Sequence, residues 1–75
     1  MPVITLKCYA TLAAYNPPKG EMTVPESTNL AGLVEMLGIP PGEVKLMFVN
    51  GRGARQDQVL SEGDRVGLFP PVGGG

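Results

Sequence analysis

The sequence predicts an α+β domain in which a mixed sheet of about five strands packs on one main helix. Three observations support this class: several short segments alternate between apolar and polar residues, a single segment carries a helical apolar stripe, and turn residues separate the segments. The chain has 75 residues, of which 11 are Gly and 8 are Pro. This length allows one domain, and the Gly and Pro content is typical of a chain with many turns.

The first strand is predicted over residues 3–9, where Ile4, Leu6 and Cys8 alternate with more polar neighbours. Such a strand buries one face and exposes the other. Cys8 lies on the buried face, and we interpret it as a small core residue rather than a reactive thiol, because the chain contains no His to accompany it. A single Cys cannot form an internal disulfide, which is compatible with a reducing cytoplasm.

A second strand is predicted over residues 21–24, antiparallel to the first across a long hairpin loop. Met22 and Val24 are expected to face inward. The loop, residues 11–20, ends in the turn-forming run Asn-Pro-Pro-Lys-Gly. Leu12, near its beginning, is expected to fold back onto the core.

The one predicted helix follows the second strand. Ser27 or Thr28 is expected to be its N-cap, because a hydroxyl oxygen there can accept a free N–H of the first turn. Gly38 suits the left-handed residue that ends a helix, and the two prolines after Ile39 prevent its continuation. The apolar stripe that should cover the sheet consists of Leu30, Leu33, Val34 and Leu37.

Three strands are predicted in the second half of the chain, over residues 44–49, 52–55 and 65–69. Asn50-Gly51, between the first two of them, is a strong hairpin signal. In the connection to the last strand, Val59 and Leu60 are expected to enter the core. This order of elements fits a mixed sheet whose first and last strands are parallel neighbours at its centre, which is the β-grasp or ubiquitin-like arrangement.

The charged residues do not indicate a nucleic-acid or membrane partner. The net charge is −1, and the six Lys and Arg residues are scattered along the chain, which argues against binding to a phosphate backbone. No apolar segment approaches the length of a membrane span, and no signal peptide opens the sequence. We therefore expect a cytoplasmic protein with no nucleic-acid partner and no membrane partner.

The last six residues, 70–75, are predicted to form an extended tail on a domain of residues 1–69. The tail begins with two prolines, which lack the N–H needed for strand pairing, and ends in Gly73, Gly74 and Gly75. Six extended residues can reach roughly 20 Å. Glycines can thread a narrow channel, and a terminal carboxylate can be activated by ATP in a partner enzyme. The alternative interpretation is a loose terminus without a function.

Four short motifs resemble those of one family. Tyr9-Ala10 ends the first strand, Val49-Asn50 ends the third, and Glu-Gly-Asp-Arg-Val at residues 62–66 forms the turn into the last strand. Phe-Pro-Pro-Val at residues 69–72 precedes the glycines. On these residues the chain resembles the MoaD/ThiS family of ubiquitin-like sulfur carriers. The Phe-Pro-Pro-Val segment is most similar to its molybdopterin synthase small-subunit (MoaD) branch.

The resemblance implies a sulfur carrier rather than an enzyme. An adenylating enzyme of the ubiquitin-activating type (MoeB/ThiF-like) would adenylate the C-terminal glycine, and a persulfide would then displace AMP to leave a thiocarboxylate. A molybdopterin synthase large subunit (MoaE-like) would receive the tail, and the sulfur would pass to cyclic pyranopterin monophosphate for a molybdenum or tungsten cofactor. The chain itself would bind no cofactor and no metal, because ATP is used by the activating partner.

The resemblance also assigns roles by position. Gly75 would carry the acyl group, while Gly73 and Gly74 would thread the partner's channel. The residues expected to contact the partner at the base of the tail are Phe69, Pro70, Pro71 and Val72. The family commonly ends in two glycines after a small residue, whereas this chain has three. Either Gly73 takes the place of the small residue, or Gly75 is trimmed to leave Gly74 as the reactive end.

Other functions remain open at this point. A ThiS-like carrier for thiamine or another thio-cofactor shares the fold and the adenylation step. A protein modifier would end with its carboxylate in an isopeptide bond to lysine. A ubiquitin-like binding module would use its sheet surface and would not need Gly73–Gly75. Catalysis by Cys8 would require that Cys8→Ser abolishes activity without changing the fold.

Overall fold

A computed structural model describes residues 1–71, and residues 72–75 lie outside the described part. The described residues contain a short 3₁₀ helix at Ala10–Tyr15, an α-helix (α1) at Leu30–Leu37 and a further 3₁₀ turn at Pro41–Glu43. Its strands are β1 at Val3–Cys8, β2 at Glu21–Thr23, β3 at Leu46–Val49, β4 at Arg52–Gly53 and β5 at Arg65–Phe69. They form one sheet in the order β2-β1-β5-β3-β4.

The first and last strands lie side by side at the centre of this sheet. β1 and β5 are parallel, with Leu6 opposite Val66, and both outer pairings, β1 with β2 and β5 with β3, are antiparallel. The parallel pair requires a crossover, and α1 lies in the connection that makes it. The predicted β-grasp arrangement, with five strands and one main helix, is confirmed.

The core lies between one face of the sheet and α1. The predicted inward residues of β1 are buried there, as are three of the four residues of the helix stripe, while Leu37 is half-buried against the core. The interpretation of Cys8 as a core residue is confirmed, because only 2% of it is exposed. The buried apolar residues are Ile4, Leu6, Cys8, Leu12, Val24, Leu30, Leu33, Val34, Ile39, Val49, Leu60, Val66 and Leu68.

The segment after β1 is more regular than the predicted loop. Residues Ala10–Tyr15 form a 3₁₀ helix, and this helix holds Leu12 fully buried, as expected. Asn16 follows it and closes the edge of β1 beyond the reach of β2. Its Oδ1 accepts from the Cys8 N–H at 2.7 Å, and its Nδ2 donates to the Cys8 carbonyl at 3.1 Å. One side-chain amide thus replaces a strand residue as the partner of Cys8.

The N-cap of α1 was predicted wrongly. Asn29, rather than Ser27 or Thr28, caps the helix, because its Oδ1 accepts from the Gly32 N–H at 2.8 Å. The hydroxyl of Thr28 is instead engaged with the Pro25 carbonyl at 2.7 Å. Ser27 has a φ of +66°, which places it in the turn before the helix. At the other end Gly38, with a φ of +78°, is the predicted left-handed residue.

The second half of the chain follows the prediction with two corrections. The Asn50-Gly51 hairpin is present, with φ values of +55° and +80°, although its strands β3 and β4 are shorter than expected. Leu60 is buried as predicted, but Val59 is 51% exposed. Neighbouring residues in an extended segment point to opposite sides, so only one of these two side chains can face the core.

We expect Asn29→Ala to lower the free energy of unfolding by about 1 kcal/mol, because it removes the acceptor for the Gly32 N–H. Urea unfolding followed by circular dichroism measures this loss. Ser27→Ala is the control and should change stability by less than about 0.5 kcal/mol. The opposite ranking of the two variants would place the cap at Ser27 and contradict the assignment.

Candidate functional site

The base of the tail is held from two sides by backbone hydrogen bonds. On one side the Tyr9 N–H donates to the Leu68 carbonyl at 3.0 Å, and on the other the Lys45 N–H donates to the Phe69 carbonyl at 2.8 Å. β5 is therefore paired up to its last residue. Pro70 follows immediately and is half-buried, while Pro71 is exposed. The tail consequently leaves the sheet from a fixed point.

Three aromatic side chains surround this exit point, and we call them the aromatic cluster: Tyr9, Phe48 and Phe69. The rings of Tyr9 and Phe69 are stacked, with centroids 4.2 Å apart and planes 4° from parallel. The ring of Phe48 meets that of Phe69 edge to face, with centroids 5.5 Å apart. Both geometries are favourable for aromatic pairs. The last residue before the tail is thus fixed by its side chain as well as its backbone.

The aromatic cluster lies on the face of the sheet opposite α1. In β5, Val66 and Leu68 point into the core, so Phe69 and its alternate neighbours point to the other, open face. Phe48 is directly opposite Gly67 in the β3–β5 pairing. Because Gly67 has no side chain, a recess remains between the rings.

This recess is the floor of a shallow open cavity of about 420 Å³. A Cβ atom at Gly67 would lie 3.6 Å from Tyr9 Cε1 and 3.8 Å from Phe69 Cε1, which is ordinary van der Waals contact. Two cations border the cavity. Lys7 Nζ lies 5.6 Å from the centroid of the Tyr9 ring, within cation–π range, and Arg65 lines the opposite part.

Only part of the predicted site lies within the described residues. Phe69 is in the aromatic cluster, and Pro70 and Pro71 continue from it. The predicted contact residue Val72 and the glycines Gly73–Gly75 lie outside the described part. Sequence reasoning missed Phe48 and Gly67, and it used Tyr9 only as a motif residue. The alternation of β3 and β5 placed both missed residues on the open face and could have identified them.

Neither a metal site nor a membrane span is found in residues 1–71. No group of three or more His, Cys, Asp or Glu side chains is positioned there to hold a metal ion. Over the same residues, no helix has the length and apolar character needed to cross a bilayer.

Cys8 lies in an environment opposite to that of a nucleophilic thiol. The side chain is almost fully buried on the core side of β1, and burial raises the pKa of its thiol. Reactive cysteines are accessible and have a lowered pKa, because the thiolate is the nucleophile. Catalysis by Cys8 is therefore disfavoured.

The fold and the position of the tail define a ubiquitin-like carrier. The model of the ThiS family matches residues 7–75. The chain belongs to this family of small carrier proteins, and its fold is that of the ThiS/MoaD-like sulfur carriers. No curated protein sequence matches the chain.

Three solved structures are similar over almost their whole length. Two are of small archaeal modifier protein 1 from Haloferax volcanii. One has a TM-score of 0.74 at 19% identity, covering 96% of this chain and 100% of that chain. The other has a TM-score of 0.71 at 20% identity, covering 97% and 99%. The third, a Pyrococcus furiosus protein provisionally described as molybdopterin converting factor subunit 1, has a TM-score of 0.75 at 26% identity, covering 96% and 100%.

We expect Tyr9→Ala to loosen the base of the tail, because it removes the ring stacked on Phe69. The free energy of unfolding should fall by at least about 1 kcal/mol, and the ¹⁵N order parameter of the Phe69 amide should decrease. Tyr9→Phe keeps the stack and should match the wild type in both measurements. Equal order parameters in the two variants would mean that the stack does not fix the tail.

The buried thiol predicts a specific pH dependence. Because the pKa of Cys8 is raised in the folded state, its contribution to stability is complete below the unfolded thiol pKa of about 8.5. That contribution is lost as the pH rises from there through the folded pKa. Urea titrations between neutral and alkaline pH should show a steeper fall in stability for the wild type than for Cys8→Ala. Identical slopes, or rapid alkylation of the native thiol by iodoacetamide, would contradict the burial argument.

Proposed function

We propose that the chain is a sulfur carrier whose Gly75 carboxylate is converted to a thiocarboxylate for molybdopterin synthesis. The observation that carries the proposal is the rigid exit of the tail. β5 ends at Phe69, which is held by the aromatic cluster and by the Lys45 N–H at 2.8 Å. Two prolines and a glycine run then follow in the sequence. A body that fixes one end of such a tail can deliver the other end into a partner's active site.

The chemistry proceeds in two steps in the adenylating partner. A Gly75 carboxylate oxygen attacks the α-phosphorus of ATP, so that pyrophosphate leaves and an acyl adenylate forms. A persulfide sulfur of the sulfur donor then attacks the acyl carbon, and AMP leaves with the bonding electron pair. Reduction of the resulting acyl disulfide by a thiol of the donor releases the glycine thiocarboxylate and leaves a disulfide on the donor.

The chain contributes the acyl group and its delivery to this chemistry. Its one thiol, Cys8, is buried, and among residues 1–71 no buried side-chain polar atom lacks a hydrogen-bond partner. The acids, bases and nucleophiles therefore come from an adenylating enzyme of the ubiquitin-activating type and a MoaE-like large subunit. The missing Cβ atoms of Gly73 and Gly74 suit passage through a narrow channel in each partner, and Pro70, Pro71 and Val72 set the direction of entry.

The similarity to the Pyrococcus furiosus protein supports cyclic pyranopterin monophosphate as the sulfur acceptor. The match to the ThiS family favours a second candidate, a carrier for thiamine or another thio-cofactor. Both candidates use the same tail and the same activation. They differ in the protein that accepts the sulfur.

Incubation with the adenylating enzyme of the same organism, ATP and a persulfide donor should produce a chain heavier by one oxygen-to-sulfur exchange. Intact mass spectrometry, with mapping of the C-terminal peptide, locates the sulfur and reports whether Gly75 is retained or trimmed. Deleting Gly74 and Gly75 should abolish the exchange, because the reactive carboxylate is then displaced toward the body. Lys19→Ala, on the far edge of β2, should leave it unchanged.

The thiocarboxylated chain should then form molybdopterin from cyclic pyranopterin monophosphate when mixed with the MoaE-like subunit. Sulfur transfer only in the presence of the thiamine-pathway acceptor would select the second candidate. Failure of the wild-type chain to form an adenylate would contradict the carrier function itself.

A further inference from the structure

The open face of the sheet carries apolar side chains that no described element covers. Sheets with one solvated face usually place polar residues on it. Here Leu46 is 45% exposed and Tyr9 is 37% exposed, and Phe48 and Phe69 are only half-buried. These residues lie together where β5 ends. The opposite end of the same face is polar, with Thr5 opposite Arg65 in the β1–β5 pairing.

The recess at Gly67 has the dimensions of a small apolar group. A carbon atom at the Cβ position would make contacts of 3.6, 3.8 and 3.9 Å with the three members of the aromatic cluster. A side chain from another protein can occupy this position at ordinary contact distance. Aromatic residues around a recess are the typical centre of a protein interface, because they contribute large contact areas at low entropic cost.

Two cations border the recess and have no ionic partner within the described residues. Over residues 1–71 the one salt bridge joins the N-terminal amine to Glu26, at 2.8 Å, far from this face. Lys7 lies over the outer side of Tyr9, and Arg65 lies at the polar end of the cavity. Glu21 is the acidic residue placed nearest on this face by the strand register, with Thr5 of β1 between it and Arg65. The field of the face is therefore positive beside the recess.

The same face is continuous with the tail. Phe69 is a member of the aromatic cluster and also the last strand residue before Pro70. A protein that covers the cluster is therefore positioned to receive the glycines directly. This continuity connects the surface to the reaction at Gly75.

We propose that this open face is the docking surface for the enzyme that adenylates Gly75, and that the enzyme complements it in two ways. An apolar side chain of the enzyme fills the Gly67 recess, and carboxylates of the enzyme lie opposite Lys7 and Arg65. The inference rests on the proposed carrier function, since it assigns the partner of that site. Apolar contact supplies most of the affinity, and the two cations set the orientation and the rate of association.

Filling the recess tests the apolar contact without endangering the fold. Gly67→Ala adds a methyl group at ordinary contact distance within a strand, so stability should be retained or increased. In ATP–pyrophosphate exchange with the adenylating enzyme of the same organism, its KM for the carrier should rise about tenfold with kcat unchanged. The matched control is Gly53→Ala, where an added Cβ meets nothing within 4 Å, and its KM should equal that of the wild type.

Reversing the charges tests the carboxylates. The double variant K7E/R65E should bind the enzyme about tenfold more slowly at low ionic strength, and this difference should shrink as salt is added. The control K19E/R55E changes the net charge equally at positions outside the cavity lining and should have a much smaller effect. Surface plasmon resonance with the immobilised full-length chain measures both rates.

The outcomes separate the docking surface from the carrier function. Adenylation of the wild type with an unchanged KM for Gly67→Ala overturns the docking inference and leaves the carrier function intact. Binding that depends on Gly67, Lys7 and Arg65 without adenylation supports the surface and contradicts the carrier function. Absence of both binding and adenylation overturns both.

Discussion

The parallel pairing of β1 with β5 is the interaction on which the rest of the structure depends. It brings the last strand to the centre of the sheet, where β5 has a neighbour on each side: Val66 is opposite Leu6 in β1 and opposite Val49 in β3. A central strand has its backbone groups paired along both edges and its inner side chains fully buried, as Leu68 is here. The segment that leads into the tail is therefore among the most constrained parts of the molecule.

The two faces of β5 serve different purposes because side chains alternate along a strand. Val66 and Leu68 complete the core against α1, whereas Arg65, Gly67 and Phe69 form the open face. Gly67 contributes no packing of its own and is an unfavourable residue in a strand interior. Its value lies in the recess that it leaves between the aromatic rings. Stability and recognition thus occupy opposite sides of five consecutive residues.

The distribution of polar groups is consistent with a protein that delivers a reactive end rather than performing a reaction. The core contains no buried polar or charged residue among residues 1–71, and the one thiol is shielded within it. The short polar contacts serve the fold: Asn16 closes the edge at Cys8, Asn29 caps α1, and Asn50 donates to Asp64 at 3.0 Å beside the entry to β5. The body is a rigid support, and the chemistry is left to the tail and its partners.

The sequence by itself determined the elements and the fold class, because the alternation of Ile4, Leu6 and Cys8 and the stripe on α1 are local consequences of burial on one face. It also identified the tail, since glycine and proline act locally. The tertiary structure decided the cap at Asn29, the exposure of Val59 and the aromatic cluster. Tyr9, Phe48 and Phe69 are separated by many residues, and only the strand order β1-β5-β3 brings their side chains together on one face.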